Sequence, residues 1–346
     1  MATKYLDSTV AFKLRVILGT LLTTSIFVPT LYQPMLTPLW TFLIHNPIYR
    51  LSTFETIWTV FLYSIIEVSM TVVFLRHPEW RFAIQTTKKE DKPITKPRDM
   101  RRPSRRFGEI AVYVLPLLAM DLTMIKKFAD VPLEAMLESG NYAITNLPNR
   151  TTNNSTSNSP NTTHHKTFLI PTLHNFTLSS PLQTHRALPT LAPTSRRLAL
   201  ELLLAFFIYD TLFFAFHLSL HIIPSLRTLH APHHRHLEMH PQITNQLHIS
   251  ERLGLVLLAN FSLNIIGAHV FTRTLFVAVF VWLLVELHSG LDLPWAYEKM
   301  LPKGWGGGAR KHASHHARGD GGFEPYFTWW DGGLERVGGT LQGEFV

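Results

Sequence analysis

The chain has 346 residues, of which 46% are hydrophobic and only 16% charged, and it contains no cysteine. The lack of thiols excludes disulfides, zinc–thiolate sites, thiolate-ligated haem and iron–sulfur clusters, and cysteine nucleophiles, while a charged fraction below the roughly 25% of soluble domains indicates a membrane protein. The net charge of +8 does not indicate nucleic acid, because much of the excess lies in residues 76–106, between two apolar segments and without a base-reading motif.

Four apolar segments approach the roughly 20 residues that a helix needs to cross a bilayer. They lie at residues 16–32, 57–75, 110–125 and 198–216. The third segment is short and contains Asp121. Two later runs, 253–268 and 274–287, are short enough to form a re-entrant hairpin. The sequence therefore predicts an all-α integral membrane bundle of four spanning helices plus a short hairpin.

The basic loop predicts the orientation of the bundle. Under the positive-inside rule residues 76–106 are cytosolic, so residues 126–197 lie in the lumen. That stretch carries glycan acceptor triplets, which are usable only on the lumenal side, at Asn149, Asn153, Asn154, Asn161 and Asn175. An insert rich in Asn, Thr and Ser also generates such triplets by composition alone. We expect membrane helices over 1–125, a disordered lumenal insert over 126–197, and a third region over 198–346.

Three clusters of histidine lie in that third region, and the predicted topology brings all of them to the cytosolic side. A helix places residues three and four apart on one face, so each cluster presents several imidazoles together. Pro232 fits the first turn of a helix, so we expect His233 and His234 to be helical and His230 to precede the helix. Eight imidazoles suit two metal ions rather than one. The clusters comprise His217 and His221, then His230, His233 and His234, and finally His312, His315 and His316.

Residues 198–341 resemble the fatty acid hydroxylase/sterol desaturase superfamily of membrane-bound non-haem di-iron oxygenases. The resemblance rests on the histidine clusters, on Tyr209-Asp210-Thr211 ahead of the first one, and on the motifs at 285–295, 304–307 and 325–331. These motifs look most like the cholesterol 25-hydroxylase-like branch. The sequence departs from the family pattern at Ala313, where Asp is common, and at Gly322, where Asn is common.

The resemblance implies a cytosol-facing di-metal centre of two irons in a catalytic domain over 198–346. His288 and His248, the latter followed by Glu251, are implied as further ligands. The implied reaction activates O2 and inserts one oxygen atom into a C–H bond of a lipid, with electrons from NAD(P)H through cytochrome b5 or its reductase. Sister enzymes desaturate or demethylate instead. The implied location is the endoplasmic reticulum membrane, with several passes.

Side chains around the clusters are expected to complete the site. Asp210, Glu286 and Asp331 are expected to accept hydrogen bonds from the distal ring N–H groups, and Glu251 is implied in the same role; helix-end charges are the alternative for the first three. Aromatic side chains are expected either to wall a lipid pocket or to anchor the chain at the membrane interface. They include Trp295, Phe323, Tyr326 and Phe327, with Trp282, Trp305, Trp329 and Trp330.

Two other classes of function stay open as alternatives. A metal transporter also carries histidine-rich loops, but its ligands should lie near the bilayer midplane rather than at helix ends. A catalytically inert lipid-binding relative should have lost at least one cluster. The substrate is left open among membrane lipids, with the resemblance favouring a sterol-like or other bulky terpenoid molecule.

Overall fold

The computed structural model describes residues 2–82, 100, 107–140, 177–235, 239–319 and 321–336. These residues form helices and connecting segments, and the described ranges contain two isolated bridges but no strand, which confirms the all-α prediction. The helices are α1 (Ala2–Phe27), α2 (Gln33–His45), α3 (Pro47–Arg50), α4 (Phe54–Arg76), α5 (Phe107–Thr123), α6 (Leu133–Ser139), α7 (Ser195–Ile222), α8 (Pro224–His234), α9 (Ile249–Ile265), α10 (Val270–His288), α11 (Tyr297–Met300), α12 (Gly308–Arg318) and α13 (Trp329–Arg336).

Four helices are long and apolar enough to cross a membrane: α1 from Thr9 onward, α4, α7 and α10. The number agrees with the sequence prediction, but the set differs. The third predicted segment forms α5, whose apolar part, Ile110–Thr123, is shorter than a span. The run predicted as one arm of a hairpin belongs instead to the 19-residue helix α10. The predicted run began after Arg273, whereas α10 begins at Val270 and includes Arg273, which is buried inside the bundle.

Helices α4, α7 and α10 run towards one end of the bundle, and α1 runs towards the other. Helices α4 and α10 are parallel, because Trp58 donates to the Thr274 carbonyl near their starts (3.1 Å) and Phe82 donates to the Gly290 carbonyl beyond their ends (3.2 Å). Helix α1 runs opposite to α7, since Ser195 at the start of α7 donates to the Ser25 carbonyl near the end of α1. The described histidines of the three clusters lie at the end of the bundle where α4, α7 and α10 finish.

This end is called the histidine end below. The chain enters the basic loop there, since α4 finishes at Arg76, whereas residues 124–140 and 177–194 lie at the opposite end. A pairing of Leu51 with His185 and a hydrogen bond from Gln183 to the Leu122 carbonyl fix the latter segment at that end. The end of α4 and the segments that flank residues 141–176 therefore lie at opposite ends of the bundle. Most of the basic loop and the five predicted glycan sites lie outside the described residues.

A buried ionic network joins the helices at the opposite end. The Glu55 carboxylate, at the start of α4, lies 3.2 Å from both Arg186 and Arg273 and 3.4 Å from Lys126. Lys126 also pairs with Asp121 at 2.7 Å. Since an unpaired charge in this position would be costly, the network explains how helices that face lipid tolerate these charged residues.

A second polar contact explains the charges near the start of α7. Glu201 accepts a hydrogen bond from the backbone N–H of His269 at 3.0 Å, just before α10 begins. The same carboxylate pairs with Arg197 at 2.6 Å. Glu201 therefore satisfies a free N–H at the start of α10 and ties α7 to that helix.

Candidate metal centre

Nine histidines of the predicted ligand set converge into two groups at the histidine end. Within each group one nitrogen of every ring lies within 4.8 Å of the corresponding nitrogens of the others. The groups touch, since the rings of His234 and His316 are stacked with centroids 4.7 Å apart. The five-membered group comprises His217, His221, His230, His234 and His315; the four-membered group comprises His233, His288, His312 and His316.

Helical spacing explains how one helix serves both groups. Helix α8 begins at Pro224, so His230 is helical and Pro232 lies inside the helix rather than in its first turn, contrary to the sequence prediction. His230 and His234 are four residues apart and share a face. His233 points to the other group, where the ring of His316 lies 4.4 Å away. The second histidine cluster therefore contributes to both groups, which sequence spacing alone did not show.

In three of the rings, the hydrogen bond at Nδ1 determines which nitrogen carries the hydrogen and which is free to bind a metal. The Nδ1 of His217 lies 2.9 Å from the Phe323 carbonyl, that of His315 lies 2.7 Å from the Gly321 carbonyl, and that of His230 lies 2.8 Å from the Glu251 carboxylate. Each of these partners only accepts hydrogen bonds, so Nδ1 carries the hydrogen in the neutral rings and Nε2 is bare.

The bare Nε2 atom of His230 faces the Nε2 atoms of two other rings in the five-membered group. His230 Nε2 lies 3.0 Å from His217 Nε2 and 2.9 Å from His234 Nε2. A single hydrogen on His230 would satisfy only one of these two contacts. A cation between the rings satisfies them all, because Nε2 is the usual site of metal ligation in a histidine whose Nδ1–H is bonded elsewhere.

The separations in the four-membered group also suit a metal ion. The Nε2 atom of His312 lies 3.0 Å from that of His288 and 3.1 Å from that of His316, and the His288–His233 distance is 3.4 Å. Two nitrogens each about 2.1 Å from one ion, at an angle of about 90–110°, are separated by about 3.0–3.4 Å. The residues of both groups therefore fit a metal ion.

Burial keeps five of the rings outside the spanning helices neutral. It lowers the pKa of His234 to about 3. It lowers the pKa values of four further rings well below their usual value, and neighbouring imidazoles add to the effect. Since a protonated ring cannot bind a metal, these low values favour ligation at neutral pH. The four rings belong to His233, His312, His315 and His316.

The structure does not bring His248 to either group. It lies exposed at the N-terminus of α9, where its side chain accepts a hydrogen bond from the backbone N–H of Ser250 at 3.3 Å. His248 immediately precedes the helix that carries Glu251, so it is close in sequence to a residue that contacts the rings. Its side chain caps a helix instead of reaching the other rings.

Of the four carboxylates expected beside the rings, one contacts a histidine ring and three accept backbone N–H groups. Glu251 contacts a histidine ring, as described above. Asp210 instead accepts the backbone N–H of Tyr326 at 2.9 Å, and Glu286 accepts the backbone N–H of Tyr297 at 2.7 Å. Asp331 accepts the backbone N–H of Phe323 at 3.0 Å. These three act one step away from the rings, by fixing the chain segments that surround them.

Backbone carbonyls at Phe323, Gly321 and Leu284 fill the role that the sequence analysis assigned to those carboxylates. The Leu284 carbonyl lies 2.8 Å from His288 Nδ1. No sequence signal identifies such acceptors, because every residue carries a carbonyl. The family departure at Gly322 fits this account, since its φ of +77° is a left-handed conformation that Gly and Asn adopt more readily than other residues.

The four aromatic residues expected at the pocket lie at different distances from the rings. Phe323 is buried, with its ring centroid 5.2 Å from that of His221 and 5.3 Å from that of His315. Tyr326 packs in the core against Tyr209. Phe327 stacks on Trp329 at 4.5 Å, and Trp295 packs edge-on against Trp80. Phe323 is therefore the one of the four that contacts the histidine rings.

An apolar helical bundle that closes two groups of imidazoles over one end defines a histidine-rich membrane protein with a candidate dinuclear site. Residues 202–335 match the family model described as fatty acid hydroxylase. The matched region contains all nine converging rings, three of them on α12.

Similar proteins agree with this assignment. The chain is 36% identical over 180 residues to cholesterol 25-hydroxylase of Rattus norvegicus, covering 51% of this chain and 57% of that protein. It is 36% identical over 154 residues to a cholesterol 25-hydroxylase-like protein of Danio rerio, covering 44% and 60%. It is 28% identical over 147 residues to methylsterol monooxygenase of Aspergillus fumigatus, covering 40% and 47%. The match spans less than two thirds of each of these relatives, and no solved structure gives a significant match.

Proposed function

We propose that the chain is a membrane-bound non-haem di-iron oxygenase that hydroxylates a C–H bond of a sterol-like or other lipidic substrate. The bare Nε2 atoms of His217, His230 and His315 carry this proposal, because the acceptors at Nδ1 leave each Nε2 with a lone pair that can bind a cation. The similarity to cholesterol 25-hydroxylases favours a sterol-like substrate.

The overall reaction balances with two electrons. One atom of O2 enters the substrate C–H bond, and the other leaves as water with two protons and two electrons. We propose NAD(P)H as the source of the electrons, through cytochrome b5 or its reductase. Bound iron would supply the activation of O2 and the oxidising power for the C–H bond.

The protein's own residues hold and orient the ligands. Glu251 and the carbonyls of Phe323, Gly321 and Leu284 fix the ring angles and keep the hydrogen on Nδ1. Phe323 excludes water beside the five-membered group. We propose that a lipidic substrate reaches this site sideways from the bilayer, because α4, α7 and α10 are apolar enough to span it. We infer that the site faces the cytosol at the endoplasmic reticulum, since α4, the helix that precedes the basic loop, finishes at the histidine end.

The match to methylsterol monooxygenase favours a second candidate, oxidation of a sterol methyl group that leads to demethylation. This oxidation would use the same histidine ligands and the same source of electrons. The two candidates differ in the product, so one experiment separates them.

The test compares three proteins in cells supplied with ¹⁸O₂: the intact chain, His315→Ala and His248→Ser. We expect labelled lipid and bound iron with the intact chain and with His248→Ser, since serine retains the helix cap, and neither with His315→Ala. Mass spectrometry of lipid extracts identifies the product, and elemental analysis measures iron. Equal labelling with His315→Ala would remove the assignment, as would metal uptake into vesicles without a labelled product.

A further inference from the structure

Three tryptophans form an exposed patch on the outer surface of α7. Trp305, Trp329 and Trp330 are 49%, 39% and 40% exposed. The indole ring of Trp329 packs 5.3 Å from Phe207 of α7 and 5.8 Å from Trp305. These three tryptophans, together with Phe207 and Phe214, are called the aromatic patch.

The aromatic patch is held in place by specific contacts. Trp330 donates a hydrogen bond to the Thr211 hydroxyl of α7 at 3.0 Å and stacks on Phe214 at 6.2 Å. Thr328 donates to the Gly304 carbonyl at 2.6 Å, which joins the segment of Trp305 to the segment of Trp329. The large exposed rings are therefore fixed in position rather than left as isolated surface residues.

The aromatic patch continues the lipid-facing stripe of α7. Leu200, Leu203 and Phe207 are 48%, 49% and 40% exposed and follow one another at helical spacing on one face. Because the stripe belongs to a helix long enough to span a bilayer, we expect the surface that adjoins it at the histidine end to meet lipid. Tryptophan is the residue enriched where hydrocarbon meets headgroups, since its ring is apolar and its N–H is polar.

The length of α7 agrees with this position. At about 1.5 Å per residue, Phe214 lies about 28 Å along the helix axis from Ser195. The hydrocarbon core of a bilayer is about 30 Å thick. If α7 enters the membrane near Ser195, Phe207 lies about 18 Å along the axis, within the hydrocarbon, and the side of the aromatic patch formed by Phe214 and Trp330 reaches the opposite interface. His217 follows about 5 Å beyond Phe214.

We propose that the aromatic patch docks the C-terminal part of the chain onto the lipid interface, so that the histidine groups lie at the depth of the headgroups. The partner is the phospholipid bilayer itself. The docked segment also carries Phe323, whose carbonyl fixes His217, so contact with lipid supports the geometry of the metal centre. The proposal concerns depth alone and holds whether or not the protein is an oxygenase.

The chain contains no cysteine, so a single introduced cysteine is the only thiol for a nitroxide label. The test uses Trp330→Cys, with Leu203→Cys on the stripe of α7 and Arg318→Cys on α12 as references, in phosphatidylcholine vesicles. Collisions with O2, which concentrates in hydrocarbon, and with a water-soluble nickel chelate measure depth. Trp329→Cys provides the same measurement if Trp330→Cys does not fold.

We expect the ratio of oxygen to nickel accessibility at position 330 to lie several-fold above that at 318 and below that at 203. A ratio equal to that at 318 would place the aromatic patch in water and overturn the proposal. A label shielded from both reagents would also overturn it, because it would show that protein rather than lipid covers the surface. The measurement needs neither metal nor turnover, so it is independent of the proposed reaction.

Discussion

The metal centre depends on which nitrogen of each histidine ring carries the hydrogen. In His217, His230 and His315 an acceptor at Nδ1 leaves Nε2 bare. His230 is the one of these three whose acceptor is a carboxylate. A carboxylate both orients the ring and raises its basicity as a ligand.

Replacing Glu251 therefore tests the orientation of the ring directly. In Glu251→Gln the side chain keeps its size, but the amide can present its NH2 group to His230 and reverse the tautomer. We expect metal affinity to fall about 10–100-fold, measured as iron retained during competition with a chelator. Glu335→Gln, on the exposed side of α13, is the matched control and should retain iron as the wild type does. Unchanged iron retention in Glu251→Gln would show that the carboxylate does not determine the orientation or tautomer of the His230 ring.

Acidification should destabilise the metal-free protein. Below about pH 6.5 the unfolded chain protonates its histidines, whereas burial keeps His234 neutral in the folded state until about pH 3. The unfolded state then binds more protons, so the free energy of unfolding falls as the pH falls through this window. His233, His312, His315 and His316 act in the same direction.

The measurement is the thermal unfolding midpoint of the metal-free protein between pH 8 and pH 5. We expect it to be flat above pH 6.5 and to decline below. His234→Gln should make the decline shallower, because one titrating group is removed. A midpoint that rises on acidification would contradict the low pKa values.

Helix boundaries depend on where charges find partners. Arg273 interrupts the apolar run in the sequence, yet α10 continues through it. Asn260 and Asn264 of α9 accept its N–H groups at 2.6 and 3.0 Å, and Glu55 of α4 pairs with it. The same network holds Arg186 from the segment that follows the insert. The helices α4 and α10 and the segments of Lys126 and Arg186 therefore meet at a single carboxylate, and α9 joins them through Arg273.

Removing that carboxylate should loosen the opposite end of the bundle. Glu55→Gln leaves Arg186 and Arg273 without their anion, and we expect a loss of about 3–5 kcal/mol in the free energy of unfolding, as when one partner of a buried ion pair is removed. Glu138→Gln, on the exposed side of α6, should have almost no effect. Adding Arg273→Met to Glu55→Gln should recover part of the loss. Unfolding in detergent, followed by circular dichroism, checks all three, and an unaffected Glu55→Gln would show that the network is not stabilising.

The direction of the whole bundle follows from where its polar segments lie. The basic loop leaves from the histidine end, and the segments flanking residues 141–176 lie at the opposite end. A chain with this arrangement should keep the loop and the metal centre on the cytosolic side.

Protease and glycosidase treatment of sealed microsomes tests this orientation. Trypsin added outside should cleave within residues 76–106, whereas residues 141–176 should be protected. Digestion with an endoglycosidase after lysis should increase the mobility of the protein, and replacing Asn149, Asn153, Asn154, Asn161 and Asn175 by Gln should abolish that change. Protection of the basic loop together with cleavage of the insert would reverse the topology.

The amino-acid sequence determined the helical class, the number of spanning helices and the eight clustered imidazoles, because these depend on composition and on short spacings. It also assigned the basic loop and the histidines to one end. The spacing of His217 and His221 was enough to place both rings on one face.

The tertiary structure alone decided how the rings divide into two groups, since His230 and His234 turn to one side of α8 and His233 to the other. It also placed His248 outside both groups, extended α10 through Arg273, and placed backbone carbonyls rather than Asp210, Glu286 and Asp331 against the rings. The physical reason is that these features depend on contacts between distant segments. The sequence does not show which carbonyl accepts a ring N–H or which charge is neutralised, because the partner comes from a distant segment.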